Sequence, residues 1–301
     1  MLKMANENQD IVLIDADLGK AAGSYAFRDA FPHRHFNVGV SEQDMLCFAG
    51  GLAEGGKIPF ATTFACFLIQ RGCDQIINAI AYNNSNVKMV GNGAGLTCAK
   101  NGGTHMAISD IAITRSIPGL CVIDPGDSVE FGKALEYAAS IHQPVYIRSN
   151  RGVLPVFCTD DYQFNPQKAV LLQSGTDVTL ITTGVTTAEG IVACESLAKS
   201  GIKVKHLHIP VLKPIDGDSI IQAAKETGVV VTCENHNVIG GLGSAVMEVL
   251  AESCPVQVHR LGIQDIFGQT ADFDYLKEIY EIDAKAITEK ILEVTKKKKQ
   301  K

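Results

Sequence analysis

A carboxylate at a strand-to-helix junction is the first side chain that could do chemistry. A strand-like run from His35 to Val40 ends before Ser41, which can cap a helix, and Glu42 follows directly, before apolar residues recur at helical spacing. Ligands of open α/β sheets bind at the carboxyl ends of the strands, so Glu42 can meet a small molecule there. The favourable interaction of a first-turn carboxylate with the helix dipole would also explain this residue, without any ligand.

Two aromatic side chains and a histidine stand near later junctions. Phe64 and Phe67 lie three residues apart at a strand-to-helix turn, where ring faces can stack on a planar heterocycle, although such a pair without context is ordinary core. His105 ends the run Asn101-Gly-Gly-Thr-His105, whose glycine pair can present the imidazole into a cleft. There it could hydrogen-bond or exchange protons with hydroxyl groups, but a lone histidine is more often structural.

Two arginines follow a later predicted strand. Arg148 and Arg151 lie in Tyr146-Ile-Arg-Ser-Asn-Arg-Gly152, and a guanidinium group can hold an anion through two parallel hydrogen bonds. A surface ion pair is the alternative for Arg148. Neither G-x-G-x-x-G nor G-x-x-x-x-G-K-S/T occurs, so a nucleotide-binding loop is not favoured.

The elements that must position these residues alternate between strands and helices. The first half is predicted to contain strands at 11–14, 35–40, 58–64, 87–90, 120–123 and 145–147, and helices at 42–54, 66–82, 104–116 and 127–141. The second half is predicted to contain strands at 178–182, 204–209, 229–233 and 256–261, and helices at 186–200, 217–227 and 242–252. The fold class is therefore α/β, with two doubly wound domains and mostly parallel sheets. The predicted parts are a first domain over 1–155, a linker over 156–176, a smaller second domain over 177–295 and a frayed basic tail over 296–301.

Composition excludes several classes of protein. A net charge of −6 and a pI near 5.8 provide no basic footprint for nucleic acid, and no apolar run approaches the length of a membrane span. The N-terminus lacks the apolar core of a signal peptide, and the nine cysteines show no paired metal-ligand spacing. We therefore expect a soluble, cytoplasmic protein with reduced cysteines, which binds neither nucleic acid nor membrane.

Several motifs, in order, resemble the transketolase family. They are VGVSEQDM, IPFATTFACFLIQRGCDQI and GNGAGLTCAKNGGTHMAISDIAITRSIPG. The resemblance spans nearly the whole chain but only the C-terminal half to three fifths of a full-length transketolase, namely its pyrimidine-binding and C-terminal domains. It implies thiamine diphosphate as cofactor, which performs the carbanion chemistry while the protein supplies binding, orientation and electrostatics.

The resemblance also implies roles for the residues around this cofactor. Glu42 matches the catalytic glutamate that hydrogen-bonds the pyrimidine ring nitrogen remote from the amino group. Phe64 and Phe67 match the aromatic residues of the pyrimidine pocket, and Gln70 stands where some transketolases have another aromatic. Asp17 resembles an acidic residue near the thiazolium ring across the subunit interface, although a polar residue that ends a strand is an equal alternative.

Further matches and departures concern the substrate. His105 matches a histidine with a catalytic or substrate-binding role, Arg151 matches a phosphate-binding arginine, and Arg148 resembles the first arginine of the related deoxyxylulose-phosphate synthase motif. Asn101 replaces an aspartate that contacts a donor-sugar hydroxyl. Two phosphate ligands of the family are also replaced, by Ala21 and Gly93. An anionic sugar is still expected, but with a different or differently placed anion such as a sulfonate or a shifted phosphate.

One missing motif determines the expected organisation. The sequence contains no Gly-Asp-Gly followed about two dozen residues later by Asn, the motif with which this superfamily binds Mg²⁺ and the diphosphate, so no metal ligand is predicted here. The resemblance therefore implies a split transketolase, in which an N-terminal subunit supplies that half of the site, in an α2β2 heterotetramer. The alternatives are the β subunit of a 2-oxo-acid dehydrogenase and a noncatalytic scaffold subunit.

Overall fold

Two helix-covered sheets make up the computed structural model of the chain, which describes residues 1–299. Its strands are β1 (Ile11–Asp15), β2 (His35–Asn37), β3 (Ile58–Phe64), β4 (Lys88–Asn92), β5 (Cys121–Ile123), β6 (Val145–Ser149), β7 (Val170–Gln173), β8 (Val178–Thr182), β9 (Val204–His208), β10 (Val211–Lys213), β11 (Val229–Asn237) and β12 (Gln257–Ile263). Its α-helices are α1 (Leu2–Glu7), α2 (Gly19–Ala22), α3 (Tyr25–Ala30), α4 (Glu42–Glu54), α5 (Gly72–Gln75), α6 (Asp110–Ser116), α7 (Ser128–Ser140), α8 (Thr186–Lys199), α9 (Gly217–Thr227), α10 (Leu242–Ser253), α11 (Phe273–Ile279) and α12 (Ala284–Lys299).

The first sheet has the strand order β10-β5-β6-β4-β3-β1-β2. All neighbours are parallel except β10, which pairs antiparallel with β5. The apolar runs of β1 and β3 are buried along nearly their whole length, as expected of central strands covered by helices on both faces. The chain continues from β1 to one side of the sheet and from β3 to the other, so a crevice opens at the carboxyl ends of these two strands.

The second sheet has the order β12-β11-β8-β9-β7, and only β7 is antiparallel to its neighbour. Helices α8, α9 and α10 connect its parallel strands. The predicted fold class, two doubly wound α/β domains with mostly parallel sheets, is confirmed.

Several predicted elements differ from the structure. The linker predicted over 156–176 contains β7, and β10 of the second half joins the first sheet. The helix predicted from residue 104 begins at Asp110, after two 3₁₀ turns at Gly95–Asn101 and Gly103–His105. Residues 296–299 of the predicted tail continue α12, and residues 300 and 301 lie outside the described part. No helix within residues 1–299 is both long and apolar enough to cross a membrane.

The helix predicted over 66–82 has an unusual form that matters for the site. It begins with a π-helical turn, Phe67–Arg71, continues through α5 and ends with a second π-helical segment, Ile76–Ala81. Such wide turns occur frequently at functional sites. A methyl group at Gly72 would lie 2.1 Å from Cδ1 of Leu46, so this helix approaches α4 closely there. That contact brings Arg71 next to the first residue of α4.

Candidate active site

The predicted site residues collect at the carboxyl edge of the first sheet. Asp17 follows β1, Glu42 begins α4 after β2, Phe64 ends β3, and the loop with His105 follows β4. This edge contains the crevice between the ends of β1 and β3, where open α/β sheets bind ligands.

Glu42 is buried and bonded to an arginine that the sequence did not single out. Its side chain is 5% exposed, and its Oε1 and Oε2 accept hydrogen bonds from Arg71 Nη1 over 3.0 and 3.2 Å. The Arg71 guanidinium also lies 4.0 Å from the centre of the Phe67 ring, and its side chain is half exposed. Arg71 therefore joins the carboxylate to the aromatic group. In the sequence, Arg71 follows Phe67 by four residues, a spacing that places two side chains side by side on a helix.

Three rings form a compact aromatic group beside this pair. The centroid of Phe67 lies 5.9 Å from that of Phe64 and 5.0 Å from that of His105, and Phe64 and His105 are 5.8 Å apart. All three contacts are edge-on, an arrangement that aromatic rings favour. The Thr104 hydroxyl lies 3.0 Å from His105 Nδ1. The structure thus brings Phe64, Phe67 and His105 together, and Arg71 links them to Glu42.

Arg151 and Asn101 extend the aromatic group toward solvent. Arg151 Nη1 donates a 2.8 Å hydrogen bond to Asn101 Oδ1, and its guanidinium carbon is 5.6 Å from the centre of the Phe64 ring. Both side chains are exposed. Gln70 is exposed as well, and its amide donates a 3.4 Å hydrogen bond to the Ser109 hydroxyl, at the edge of the group.

Asp17 lies at the end of β1 and is bonded to its own neighbours. Its backbone has φ +59°, a left-handed conformation that Asp tolerates better than most residues. The backbone N–H donates to Asp15 Oδ1 and Asn37 Oδ1, and the Asn37 amide donates to Asp17 Oδ1 over 3.1 Å. The carboxylate is exposed, beside the ends of β1 and β2.

Arg148 is not placed to contact a substrate, so its predicted role is corrected. The side chain is 1% exposed; Nε donates to Asp110 over 2.8 Å and Nη1 to Asp124 over 3.0 Å. Nη2 donates to the Asn235 carbonyl of the second domain over 3.0 Å. Burial alone would lower the pKa of Arg148, but Asp110 and Asp124 outweigh burial and raise it. A buried guanidinium whose three nitrogens all donate hydrogen bonds joins the domains and cannot turn to an anion.

Gly93 stands where the resemblance implies a phosphate-binding histidine, and the structure leaves no room for a side chain there. Its φ is +66°, which favours glycine, and a methyl group added there would lie 2.4 Å from the Cys98 sulfur. Cys98 is buried, so it occupies the space that a side chain at 93 would need. Within residues 1–299, no group of three or more His, Cys, Asp or Glu side chains could hold a metal ion.

Comparisons with known proteins show which family the chain is similar to. The family profile described as "Transketolase, pyrimidine binding domain" matches residues 1–156, and the profile described as "Transketolase, C-terminal domain" matches residues 167–287. The 6-deoxy-6-sulfo-D-fructose transketolase subunit of Clostridium sp. strain MSTE9 is 43% identical over 99% of this chain and 92% of its own length. One of the subunits of the apulose-4-phosphate transketolase of Phocaeicola vulgatus is 34% identical over 99% of this chain and 95% of its own length.

A solved structure extends the comparison to the fold. It is the structure of a split gene transketolase, an inactive β4 tetramer, which is 38% identical in sequence. The match covers 98% of this chain and 95% of that one, with a TM-score of 0.89. The matches confirm the resemblance seen in the sequence, and they do not favour the β subunit of a 2-oxo-acid dehydrogenase. Membership of this family implies dependence on thiamine diphosphate. The chain belongs to the transketolase family, and in extent it matches the separate subunits of split transketolases.

Proposed function

We propose that this chain is the C-terminal subunit of a two-subunit transketolase that transfers a two-carbon ketol unit from a ketose to an aldose. The observation that carries the proposal is the grouping of Glu42, Phe64, Phe67 and His105 at the carboxyl edge of the first sheet. A carboxylate, two aromatic faces and an imidazole are the groups that thiamine chemistry needs from this half of the site.

The surroundings of Glu42 fit the aminopyrimidine part of thiamine diphosphate. A carboxylate that is 5% exposed lies within reach of the same guanidinium that covers the Phe67 ring, so one planar heterocycle can contact both residues. When bound, the cofactor supplies the carbanion chemistry of the transfer. In this proposal Glu42 holds the proton at the pyrimidine ring nitrogen remote from the amino group, and Phe67 holds the ring in place.

The sugar is proposed to lie between His105, Asn101 and Arg151. His105 belongs to the aromatic group and can hydrogen-bond a sugar hydroxyl or transfer its proton. Arg151 is exposed and bonded to the neutral amide of Asn101, so an anion is the better partner for its charge. The reactive end of the sugar would then face the rings, and the anionic end would face Arg151.

The proposed substrate is an anionic sugar other than the common pentose phosphates. Ala21 and Gly93 lack the side chains with which the family usually binds phosphate, and Cys98 occupies the space beside Gly93. The Clostridium relative, named for a sulfofructose, and the Phocaeicola relative, named for apulose 4-phosphate, support a changed anion or a changed position of it. The higher identity of the first favours a terminal sulfonate.

A partner subunit is proposed to hold the diphosphate and Mg²⁺. The two matching profiles cover the pyrimidine-binding and C-terminal domains, and the sequence lacks the Gly-Asp-Gly motif. The related tetramer with β subunits alone is described as inactive, which supports a need for the other subunit, here in an α2β2 assembly. The nine cysteines, none in a disulfide within the described residues, support a cytoplasmic location.

The function is tested on the enzyme assembled with its N-terminal partner. We expect 6-deoxy-6-sulfofructose to give a higher kcat/KM as donor than xylulose 5-phosphate, and Arg151→Ala to raise the KM of the preferred ketose about tenfold or more, because a charged hydrogen bond is lost. Arg28→Ala, at a surface ion pair, is the matched control. If pentose phosphates are clearly preferred, the changed anion is wrong; if no ketose donates a two-carbon unit, the proposed function is wrong.

A further inference from the structure

The segment that carries Asn101 and His105 has little regular structure to hold it. Residues 94–106 leave β4 and form only two 3₁₀ turns before α6 begins at Asp110. Within this segment, Ala99 adopts φ +45°, a conformation that costs energy for a residue with a side chain. We call residues 94–106 the substrate loop. A loop of this kind keeps its shape only if its surroundings fix it.

The first fixed point of the substrate loop is an asparagine of the second domain. Asn235 lies in β11 and is 1% exposed. Its Oδ1 accepts a 2.9 Å hydrogen bond from the Leu96 N–H, and its Nδ2 donates one of 3.2 Å to the Ala94 carbonyl. One side-chain amide thus bonds the backbone on both sides of Gly95, near the start of the substrate loop, and satisfies two of its polar groups.

The second fixed point is a loop of the same domain, residues 264–272, which we call the buttress loop. A methyl group at Gly103 would lie 2.3 Å from the Gly268 carbonyl oxygen, so the backbones of the two loops touch next to His105. A methyl group at Gly102 would likewise lie 2.6 Å from the Thr270 hydroxyl. Two loops from different domains therefore pack together where the sugar-binding histidine is presented.

The buttress loop is in turn anchored to the core of its domain. The Tyr280 hydroxyl donates a 2.8 Å hydrogen bond to the Phe267 carbonyl, and the Tyr280 side chain is 7% exposed. Tyr280, Leu276 and Ile263 belong to one continuous apolar cluster with Leu96 and Met106 of the substrate loop. The core of the second domain thus extends to the floor of the candidate active site.

We propose that the second domain sets the position of Asn101 and His105, with Asn235 and Tyr280 as positioning residues for sugar binding. The inference rests on the proposed function, because it assigns these two side chains to the sugar. It gives the C-terminal domain a role in substrate selection in addition to its structural role. Small displacements of a substrate-contacting group have large effects on rate and affinity, so bonds behind the loop matter as much as the residues on it.

Hydrogen–deuterium exchange on the full chain tests the positioning without any catalysis. In Asn235→Ala we expect the amides of the substrate loop to exchange about tenfold faster or more. The amides of α4 should exchange as in the wild type, because only the substrate loop unfolds locally. In Tyr280→Phe, which keeps the ring and removes only the hydroxyl, we expect about a threefold increase. Tyr162→Phe is the matched control, since its hydroxyl bonds Glu130, away from this loop. If Asn235→Ala does not fold, the exchange rate of the substrate loop in Tyr280→Phe alone decides whether the second domain positions this loop.

Kinetics of the assembled enzyme test the link to the sugar. We expect each variant that exchanges faster to raise the KM of the ketose about fivefold or more, while thiamine diphosphate affinity stays within about twofold, because Glu42 and Phe67 are not displaced. Unchanged exchange in the substrate loop of both variants overturns the positioning role. Faster exchange with an unchanged KM overturns the role in sugar binding. An assembled enzyme without ketol transfer would refute the proposed function, and the exchange result would still decide whether the second domain holds the loop.

Discussion

Two arginines three residues apart have opposite surroundings. Arg148 is 1% exposed and bonded to two carboxylates, whereas Arg151 is exposed and bonded to Asn101. Arg148 still belongs to β6 and points into the contact with the second domain, while Arg151 lies beyond the strand end, at the crevice. The sequence shows the same residue type at both positions. It therefore could not distinguish the arginine that joins two domains from the one that can meet an anion.

Glu42 begins α4, as the sequence predicts, but its burial and its partner Arg71 were not predicted. A single guanidinium nitrogen of Arg71 bonds both oxygens, and the Arg71 side chain is half exposed. Solvent reaches the Arg71 side of this pair, although the carboxylate is buried. A cofactor that binds Glu42 and the Phe67 face can displace Arg71, whose guanidinium then turns into solvent.

Glu42→Gln is expected to reduce turnover of the assembled enzyme by about a hundredfold to ten-thousandfold, because an amide cannot carry the pyrimidine proton. Stability should change little, because the amide oxygen of Gln can still accept a hydrogen bond from Arg71. Steady-state rates at saturating cofactor, with urea unfolding of the same variant, measure both effects. Asp44→Asn, an exposed carboxylate in the same helical turn, is the control. Nearly normal turnover in Glu42→Gln would contradict the catalytic assignment.

At the scale of elements, the sequence predicts the strands and helices that depend on interactions between residues close together in the chain. The bounds of β3 and α4 were predicted to the residue, because each has an apolar run of fitting length and a clear start. The strand β10 was not predicted. It has three residues, and it pairs with β5, about ninety positions earlier. Likewise, the apolar spacing after residue 104 favoured a helix, but the contacts of the buttress loop hold that stretch in turns.

A chain of buried hydrogen bonds connects four elements of the two domains. His206 Nε2 lies 2.8 Å from the Thr182 hydroxyl, which is 3.0 Å from the Thr187 hydroxyl. Thr187 lies 2.8 Å from His208 Nδ1, and His208 Nε2 is 2.7 Å from Glu130 Oε2. The chain thus joins β9, β8 and α8 of the second domain to α7 of the first. Burial, with a smaller effect of His208, lowers the pKa of His206 to about 3.

The low pKa of His206 predicts acid sensitivity. The unfolded chain binds a proton at this residue below pH 6.5, whereas the folded chain does so only near pH 3, so stability is lost as the pH falls between these values. From pH 7.5 to pH 5 the loss should be about 2 kcal/mol. Urea unfolding of the wild type and of His206→Gln over this range isolates the contribution of His206 to the loss, because the other titrating groups are common to both proteins. Two parallel curves would show that His206 does not carry the effect.

At the scale of the whole molecule, several contacts join the two domains. Strand β10 extends the first sheet, Arg148 reaches the Asn235 carbonyl, and one apolar cluster continues from Phe64 to the core of the second domain. The chain therefore presents Glu42 and the aromatic group on a scaffold that both domains hold. What it presents suits the pyrimidine ring and the sugar, and we propose that the diphosphate and the metal belong to the partner.

The isolated chain should therefore bind thiamine diphosphate weakly, with a Kd of about 1 mM or more, equivalent to about 4 kcal/mol or less of binding free energy. We assign to this subunit ring contacts with Phe64 and Phe67 and one hydrogen bond with Glu42, and association itself costs several kcal/mol. Calorimetric titration with and without Mg²⁺ measures this, and Mg²⁺ should make no difference, because its ligands are proposed to lie on the other chain. The same titration after addition of the N-terminal subunit should give tight, Mg²⁺-dependent binding. Tight binding by the isolated chain that depends on Mg²⁺ would place the diphosphate site within this subunit and would contradict the proposed division of the active site.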